Sequence, residues 1–479
     1  MESSPEAPRT PVLPESVRVV NVGLGMFAEA VRAQGAEAVD IDWRIPAGGR
    51  EDLVAALERL DGVFADRARE ANGEVVRRLD EGAPLLTRVG TAADEVPTMG
   101  PRTLLHPGPP IPWESFCDPL RRSARAAVIA EGWATDPEGA ERLVASGEVE
   151  LEAANEHATA IPMASVLGPS APVVVVELPS GDGRAFSGLN QGPGQTPWFG
   201  VETPEAVERL VFLREVVGPV LGEAISRGGP VDVFALVAQG LQMGDDAHMR
   251  IQATTNLLVR QLLPHLVGAE HPGRVEAAAF LSQNHLVFLN LGMAAAKAIA
   301  DHASGVPGSS IVTAMARNGT TFGIRLSGTG DRWFVGEAPP VSDALYHSGY
   351  GPEDSAPDIG DSAVLELIGL GGAAAAASPA VAAFIGGSIA DCVATTEAVE
   401  TICVGRSRRF KLPYLDHRGS PLGVDVRKVV ELQVTPAITT GILHRSAGLG
   451  QVGAGVARAP MAPFEEALLA LDERLSDAP

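Results

Sequence analysis

A strand, a helix and a second strand open the chain, and this order limits the fold more than any other feature of the sequence. Residues 17–23, VRVVNVG, form an apolar run typical of a buried strand, and LGMFAEAVRAQG has the spacing of a helix that stops at Gly35. AEAVDIDW then gives the second strand. Because β-α-β units build sheets covered by helices, residues 17–100 are predicted to form a small Rossmann-like domain.

The turn after the first strand contains Gly23, Gly25 and Ala28 in a G-x-G-x-x-A arrangement, and Asp42 lies 19 positions (42 minus 23) after Gly23. Glycines at such a turn let a pyrophosphate approach the helix N-terminus, and an acid at the end of the next strand holds a ribose. Glycine also serves tight packing of strand against helix without any ligand. Gly23, Gly25 and Asp42 are therefore candidate cofactor-binding residues, and packing is the alternative interpretation.

A Pro- and Gly-rich connection near residues 90–101 marks the end of this domain. The rest of the chain is predicted to be a larger mixed α+β body rich in helices, so the fold class combines α/β and α+β. Two hairpins are predicted, one around residues 180–183 and one in which Asn318 and Gly319 separate two alternating runs. The other predicted parts are a flexible arm at residues 1–16, a body at 101–479, its mixed α/β part at 101–230 and 305–479, and its helical part at 231–304.

The chain is strongly acidic, with 37 Lys and Arg against 60 Asp and Glu and a formal net charge of −23. A surface that binds nucleic acid needs a basic excess or at least a basic stripe, so nucleic acid is excluded as a partner. A small anionic substrate, such as a carbamoyl compound, would need a local positive pocket in a chain of this charge.

Three cysteines, Cys117, Cys392 and Cys403, have no metal-ligand spacing, and their odd number argues against a disulfide framework. We therefore expect a reducing cytoplasm. The first 16 residues carry neither a basic nor an apolar region and are expected to be an arm rather than a signal peptide. The Ala-rich stretch from Gly369 is broken by Gly and Pro, which favours a buried helix pair over a membrane span and favours a homo-oligomer.

Polar residues on loops between apolar elements are candidates for chemistry, because loops bring converging groups into a cleft. Asn155, Glu156 and His157 follow a predicted strand. An imidazole beside a carboxylate serves as an acid, a base or a carbonyl polariser. His157 and Glu156 are candidate catalytic residues and Asn155 is a candidate substrate ligand, whereas a loop histidine held by local hydrogen bonds is the alternative.

Asp245 and His248 form a second candidate pair, because a helix that begins at or just after Asp245 places both residues on one face. Asp245 would then orient His248 as the acid or base, and simple helix capping is the alternative. Together with His157, these residues are a candidate ligand set for a divalent metal, although their spacing is not diagnostic of zinc. The sequence establishes no cofactor.

Asn284 and His285 lie inside an apolar helical pattern that reads as one or two helices. A buried polar pair there needs partners, either in the core or as a wall of the site, and His285 is a candidate catalytic residue. The guanidinium of arginine can donate two parallel hydrogen bonds to a carboxylate or a phosphate. The candidate substrate-binding residues outside the first cluster are His106, Asn190, Arg250, Asn284, Arg317, Asn318, Arg325, Arg332, Asp361 and His444.

Several long segments of the body resemble the YlbE-type family, long known as a domain of unknown function. They are LLHPGPPIPWESFCDPLRRSARAAVIAEGWA, IAEGWATDPEGAERLVASGEVEL, SSIVTAMARNGTTFGIRLSGTGDRWF, APDIGDSAV, DVRKVVE and GLGQVGAGVARAPM. The likeness covers most of the chain between Leu104 and Leu471. The head, VNVGLGMFAEAVRAQGAEAVDIDWRIPAGG, is similar to a segment of FdrA-type proteins, which themselves resemble succinyl-CoA synthetase subunits.

The resemblance implies a subunit of an oxamate carbamoyltransferase system, in which several different proteins together cleave oxalurate with phosphate to oxamate and carbamoyl phosphate. FdrA-like proteins are then the expected partner subunits. Where the family has HHHNAVGPM, this chain retains only His157 of the three histidines, and where the family has MGDE-H-NRN it retains Asp245, His248 and Arg250. The family's N-D-H corresponds to Asn284, His285 and Leu286 here. In the family's INTGIAHKE, this chain retains His444 and has Thr439 in place of an Asn. Because these changes cluster at polar positions, we expect a divergent member with an altered substrate or reaction.

The sequence thus predicts a carbamoyltransferase-like enzyme or enzyme subunit that acts on a small carbonyl-nitrogen compound of the oxalurate, oxamate and carbamoyl phosphate type. The alternatives are a diverged amidohydrolase, a ring-closing enzyme that forms C–N bonds, and a non-catalytic partner subunit of an FdrA-like complex. The sequence contains no G-x-S-x-G elbow, Walker loop, H-E-x-x-H or C-x-x-C pair. The absence of these motifs argues against a common serine hydrolase, a P-loop nucleotidase and a zinc protease of the zincin type.

Overall fold

A computed structural model describes residues 17–41, 45–384 and 387–477 of the chain. The chain divides into two compact units, residues 1–50 and 51–479. The predicted arm at residues 1–16 and the candidate Asp42 lie outside the described residues.

The first unit contains the expected strand, helix and strand: β1 (Arg18–Val22), α1 (Gly25–Ala33) and β2 (Glu37–Ile41). The strands pair in parallel, with Arg18 opposite Glu37. Gly23 has a φ of 124°, which L side chains rarely adopt, so this turn requires glycine. The Nδ2 of Asn21 donates to Oδ1 of Asp40 at 2.6 Å and ties the end of β1 to β2.

The second unit alternates helices and short strands. Its helices are α2 (Glu51–Asp61), α3 (Ala65–Glu81), α4 (Ala92–Glu95), α5 (Asp118–Ala130), α6 (Pro137–Ala145), α7 (Pro204–Phe212), α8 (Gly218–Gly228), α9 (Val233–Gln242), α10 (Gln252–Val267), α11 (Arg274–Gln283), α12 (Val287–His302), α13 (Val364–Leu367), α14 (Pro379–Phe384), α15 (Ile389–Thr401), α16 (Val426–Leu432) and α17 (Ala462–Ser476). Its strands are β3 (Leu85–Thr91), β4 (Thr103–His106), β5 (Glu150–Ala153), β6 (Pro172–Glu177), β7 (Arg184–Gly188), β8 (Val231–Asp232), β9 (Val312–Asn318), β10 (Thr321–Leu326), β11 (Phe334–Glu337), β12 (Val341–Tyr346), β13 (Ile359–Gly360), β14 (Cys403–Leu412), β15 (Arg418–Val424), β16 (Ala437–Leu443) and β17 (Gln451–Arg458).

These strands form several small sheets. The order β7-β6-β3-β8 makes one antiparallel sheet, β11-β10-β9-β13 a second and β12-β17-β16 a third. β14 and β15 pair antiparallel, and β4 and β5 pair in parallel. The predicted mixed fold, rich in helices, is confirmed. The extent of a Rossmann-like domain over residues 17–100 stays a prediction.

Local signals in the sequence explain where many elements begin. The side chains of Asp136, Thr203 and Asp232 accept backbone N–H groups at the starts of α6, α7 and α9. Both predicted hairpins are present, as β6 with β7 and as β9 with β10. Gly319, with a φ of 79°, gives the second hairpin its tight turn.

The core of the second unit is centred on α12, a helix with almost no polar side chain between Phe288 and Ala300. It packs against β6, β7 and α13. Alanine allows this close approach because it presents little side-chain volume. α12 therefore helps to fix the positions of these elements.

The Ala-rich stretch is buried, but it is not the predicted pair of helices. Residues 371–377 form a 3-10 helix and only α14 is α-helical. Gly369 and Gly371 have positive φ angles, and Pro379 prevents continuation of a helix from the preceding residues. Among the residues that the structure describes, no helix combines the length and the apolar character needed to cross a bilayer.

A close backbone approach at Gly360 predicts a strong effect of substitution on stability. Gly360 has a φ of 115°, and a Cβ there would lie 2.4 Å from the backbone nitrogen of Met163. We expect Gly360→Ala to lower the free energy of unfolding by about 2–4 kcal/mol, since it adds this clash to a strained φ. Gly349 has a φ of 92° with no neighbour within 4 Å, so Gly349→Ala should cost only about 1 kcal/mol. Urea denaturation of both variants checks this, and equal losses would show that the backbone at Met163 gives way.

Candidate functional site

A cleft of about 310 Å³ opens between the sheet β12-β17-β16 and the first residues of α12 with the connection that precedes them. Three histidines from three separate segments line it, together with neutral polar groups and apolar side chains. Its polar and aromatic lining consists of His248, His285, His347, Ser362, Thr440, Gln451, Tyr346, Trp198 and Phe199. This combination of an apolar wall with a few converging polar groups is typical of a small-molecule site.

His248 is held by a buried carboxylate. Its Nδ1 lies 2.8 Å from Oε1 of Glu366, and both side chains are almost fully buried. Burial raises the pKa of Glu366, and the adjacent His248 ring opposes that rise. Because Nδ1 is engaged by Glu366, Nε2 is the ring nitrogen available to a molecule in the cleft, as a general acid or base requires.

The loop before α10 positions His248, and it is not the predicted helix start. Asp246 accepts the backbone N–H groups of His248, Met249 and Arg250, which holds residues 245–250 in an irregular turn with Ala247 at a φ of 63°. The carboxylate of Asp246 also accepts the Thr439 hydroxyl at 3.0 Å. α10 therefore begins only at Gln252.

Asp245 does not orient His248, contrary to the sequence interpretation. Its carboxylate accepts the backbone N–H and hydroxyl of Thr254 and the backbone N–H of Ala253. Burial raises its pKa, and these hydrogen bonds oppose the rise. The capping alternative describes Asp245 better, since it caps the first turn of α10 from a position seven residues before the helix (252 minus 245).

Beneath the cleft, the guanidinium of Arg317 is fully buried against Asp358. Its Nε donates to Oδ2 of Asp358 at 2.7 Å, and Nη2 donates to Oδ1 at 3.0 Å. Nη1 donates to the carbonyl of Gly360 at 2.7 Å. The hydroxyl of Thr440, which lines the cleft, donates to Oδ1 of Asp358 at 2.9 Å. Arg317 thus fixes the floor of the cleft and has no free fork for a substrate anion, contrary to the prediction.

Asp361 lies beside this pair, next to the cleft residue Ser362. It accepts the backbone N–H of Gly108 at 2.7 Å and that of Ile161 at 2.9 Å. Complete burial raises its pKa to about 7, although these hydrogen bonds and the charges of Lys297 and Arg317 lower it. Asp361 therefore joins three loops beneath the site and does not line the cleft itself.

The sequence of the chain matches known proteins along most of its length. The family model described as oxamate carbamoyltransferase subunit AllG matches residues 149–362. The AllG protein of Escherichia coli K12, oxamate carbamoyltransferase subunit, is 39% identical over 414 residues, which is 85% of this chain and 98% of AllG. The chain belongs to the AllG family.

Two further proteins are similar to this AllG-family chain. The uncharacterized protein YahG of E. coli K12 is 34% identical over 463 residues, 96% of this chain and 98% of YahG. A crystal structure of a conserved protein of unknown function from Enterococcus faecalis V583 superposes with a TM-score of 0.83 at 35% identity, over 85% of this chain and 97% of that chain. The resemblance to a carbamoyltransferase subunit is confirmed at the level of the family, and the YlbE and FdrA association stays a prediction.

In this AllG-family chain, His157 lies outside the cleft. Its Nδ1 is 2.6 Å from the Thr98 hydroxyl, and its Nε2 is 2.5 Å from Oε2 of Glu152. Glu156 accepts Nη2 of Arg325 and the indole N–H of Trp333, and Arg325 stacks on that indole with its Cζ 4.3 Å from the ring centroid. Neighbouring protein groups therefore hold these side chains, and a catalytic role for His157 and Glu156 stays a prediction.

Several other predicted ligands hold the fold together. Asn190, Asn284 and Asn290 form a buried chain of side-chain amides, so Asn284 is a satisfied core group. Asn284 also ends α11, which makes the apolar pattern two helices rather than one. Asn318 closes the β9–β10 turn by accepting the N–H groups of Thr320 and Thr321. Asn155 is buried, and its Nδ2 has no hydrogen-bond partner within the described chain.

The remaining predicted residues lie apart from the cleft lining. Arg332 is half-exposed and pairs with Glu466. The ring of His444 lies against the Ser446 carbonyl and 3.7 Å from Asp354. His106 is buried beside Phe116, and burial lowers its pKa to about 4. Arg250 lies beside the site, with its Nε 3.6 Å from Oδ1 of Asp245.

The structure does not support the predicted metal ligands. Within residues 17–41, 45–384 and 387–477, no three His, Cys, Asp or Glu side chains are grouped so that they could hold a metal ion. His157, Asp245 and His248 therefore do not form one ligand set. At the N-terminal turn, an added Cβ at Gly25 would lie 3.0 Å from Oδ2 of Asp40, as the packing interpretation requires. A cofactor-binding role for Gly23 and Gly25 stays a prediction.

Sequence reasoning missed most of the polar groups in the cleft. His347, Ser362, Thr440 and Gln451 line it, and Glu366 holds His248 from behind. Ser362 had a signal, because it follows the predicted Asp361 directly in the sequence. Glu366 had none, because a single acid within the apolar run VLELIGL reads as the exposed position of a helix.

The raised pKa of Asp361 predicts a pH-dependent contribution to stability. In the unfolded chain this carboxyl loses its proton near its ordinary value of 3.8, and in the folded protein near 7. Between these values the folded state binds more protons, so this group's contribution falls as pH rises, by at most roughly 1.4 kcal/mol per pH unit. Asp361→Asn should therefore lose most stability relative to the unmodified protein near pH 4 and least above pH 7. Urea midpoints of both proteins across this range check it, and a constant difference would contradict the assignment.

The buried Arg317–Asp358 pair predicts sensitivity to a change that keeps the charge. Arg317→Lys should lower the free energy of unfolding by about 2 kcal/mol or more, because an ammonium cannot supply the fork that Asp358 and Gly360 accept. Arg332→Lys is the matched control and should change stability by less than about 0.5 kcal/mol, since Arg332 is half-exposed. Similar midpoints for the two variants in urea would show that the fork is unnecessary.

Proposed function

We propose that this protein is a carbamoyltransferase-type enzyme subunit that binds a small carbonyl-nitrogen compound in the cleft beside His248. The observation that carries the proposal is the buried His248–Glu366 pair at the wall of this cleft. Membership of a family whose E. coli member is named oxamate carbamoyltransferase subunit supports the reaction class. The proposed reactants are of the oxalurate, oxamate and carbamoyl phosphate type.

His248 supplies the proton transfer that such a reaction needs. In the direction of transfer, the nitrogen of an oxamate-like acceptor attacks the carbonyl carbon of the carbamoyl group. The N–C bond forms, the C–O bond to phosphate breaks, and phosphate leaves with the electron pair of that bond. Nε2 of His248 takes the proton from the attacking nitrogen, and in the reverse direction it returns this proton to the leaving amide.

Glu366 and the floor residues prepare the site for this step. Oε1 of Glu366 holds Nδ1 of His248 and also accepts the backbone N–H of Thr439 at 3.1 Å, which fixes the ring. The carboxylate stabilises the imidazolium that forms when Nε2 takes a proton. Ser362, Thr440 and Gln451 present neutral polar groups that suit a substrate amide or carbonyl.

FdrA-like proteins are the proposed partner subunits, since the named relative is itself a subunit. The alternative, a non-catalytic partner subunit, predicts that the cleft residues are dispensable for turnover. A phosphate-dependent assay on oxalurate, with the chain alone and with FdrA-like partners added, separates a self-sufficient enzyme from a subunit. Turnover with partners that is unaffected by changes in the cleft would favour the non-catalytic alternative.

Substitution of the buried pair tests the assigned roles. His248→Gln should lower kcat by about 10²- to 10⁴-fold, because it removes the proton acceptor. Glu366→Gln should lower kcat by about 10-fold or more through loss of the ring's orientation and charge partner. Steady-state release of carbamoyl phosphate from oxalurate measures both effects.

Two histidine variants control this experiment. His417→Gln changes an exposed ring outside the cleft and should keep full activity. His157→Ala should keep kcat within about threefold, because His157 lies outside the cleft lining and is held by Thr98 and Glu152. If His157→Ala abolishes turnover while His248→Gln retains it, the reaction takes place at the cluster around His157 and the proposed site is wrong.

A further inference from the structure

His285 and His248 line the same cleft, but their rings have different surroundings. Nδ1 of His248 lies against the buried carboxylate of Glu366. The ring of His285 makes no hydrogen bond or ion pair with any other residue that the structure describes, and part of it is open to solvent. One histidine is therefore oriented by a carboxylate, whereas the ring nitrogens of the other are both available to a bound molecule.

The surroundings of His285 favour a neutral ring. Partial removal from water and, less strongly, the positive charge of Arg250 lower the pKa of His285 from its ordinary value of 6.5. Among the described residues that line the cleft, none is Asp or Glu, so no carboxylate in this lining favours an imidazolium. A neutral imidazole presents one N–H donor and one acceptor nitrogen. His285 is thus a neutral hydrogen-bond donor above pH 6.5.

Two other polar side chains of the cleft already use their donors within the protein. The hydroxyl of Thr440 donates to Asp358, and Nε2 of Gln451 donates to the carbonyl of Gly453. Each of these side chains keeps an oxygen that can accept an N–H group of a substrate. A carbonyl oxygen of the same substrate needs a donor instead, and the ring of His285 is free to supply one.

The size of the cleft brings these groups to one substrate. Its volume of about 310 Å³ is near the lower end of the range for ligand pockets, roughly 300–1,000 Å³. A small compound that contacts Nε2 of His248 therefore occupies much of this space. We expect such a compound to contact His285 as well.

We propose that His285 is a second catalytic residue, which donates its ring N–H to the carbonyl oxygen of the carbamoyl group while His248 accepts the proton. This proposal rests on the proposed function. When the acceptor nitrogen attacks the carbonyl carbon, the π electrons of the C=O bond move onto the oxygen. The hydrogen bond from His285 stabilises this negative charge, and His285 keeps its proton. The same electrons then form the C=O bond again as the C–O bond to phosphate breaks.

The different surroundings of the two rings suit this division of roles. Glu366 stabilises the imidazolium that forms on His248. A second imidazolium on His285 would repel the first within one small cleft, so a neutral ring is the better donor there. The charge of Arg250 disfavours an imidazolium at His285 and favours negative charge on the carbonyl oxygen.

Glutamine and leucine substitutions distinguish a donor from a base, assayed in the full-length chain with FdrA-like partner subunits. His285→Leu should lower kcat for release of carbamoyl phosphate from oxalurate by about 10²- to 10³-fold, as expected for loss of one donor to a developing oxyanion. His285→Gln keeps an N–H donor and should stay within about tenfold of the unmodified protein, unlike His248→Gln. The KM should change by less than about threefold, because the contact strengthens in the transition state. His417→Leu is the matched control and should keep full activity, because His417 is exposed and outside the cleft lining.

Nuclear magnetic resonance of the full-length chain with isotope-labelled histidine tests the same role without turnover. The signal of the His285 ring is assigned by its absence in His285→Gln. At pH 6.5, the ordinary pKa of histidine, the lowered pKa should leave this ring mainly neutral, both alone and with oxalurate bound. Bound oxalurate should also shift the N–H signal of the ring. Circular dichroism of each variant confirms that it is folded.

The other outcomes decide between the explanations. A ring that is mainly protonated at pH 6.5, or a ring signal that bound oxalurate leaves unchanged, overturns the assignment. Equal loss of kcat in His285→Gln and His285→Leu also overturns it, because the reaction would then need the imidazole itself. If carbamoyl transfer is unaffected by His285→Leu, the proposed function stands and the role of His285 fails. If the neutral ring contacts bound oxalurate while no transfer is found, the donor stands and the proposed function fails. Absence of oxalurate binding up to millimolar concentration overturns both.

Discussion

The ion pair of Arg317 and Asp358 holds together the segments on which the cleft is built. It joins β9 to the loop before β13 and, through Thr440, to β16. Removal of two charges from water costs several kcal/mol per ion, and it is offset here because each guanidinium nitrogen donates to an oxygen. The pair is satisfied only when these segments are in register. Formation of the cleft floor is therefore coupled to folding of the whole body.

Elements with local signals could be predicted from the sequence. Asp136, Thr203 and Asp232 are side-chain caps, and Asn318 with Gly319 marks a tight hairpin, because each signal acts within three or four residues. The predicted pair of helices in the alanine-rich stretch was wrong, because the effect of its glycines on the backbone was underestimated. Helical propensity of alanine competes with backbone angles that only glycine adopts readily, and the glycines determine the outcome.

The cleft could be predicted only in part, because it depends on contacts between distant segments. His248 was found from its neighbouring acid, but its partner Glu366 lies 118 positions away. The sheet β12-β17-β16 was not predicted, since glycine and alanine in β16 and β17 hide the alternation that marks a strand. His347 and Gln451 depend on that sheet. Arginine chemistry alone could not show that Arg317 is used within the core, where it pairs with Asp358.

The break between α11 and α12 affects how the cleft beside His248 receives a ligand. Asn284 ends α11 with its side chain fixed by Asn190, and the carbonyl of His285 accepts the hydroxyl of Thr255 at 3.0 Å. The backbone that carries His285 is thus anchored by two contacts within the protein. This wall is already ordered in the folded protein. Binding of a molecule therefore costs little free energy for immobilisation of the backbone there. The wall of the cleft at His285 is in this sense rigid, so a bound molecule can be held at a constant distance from it.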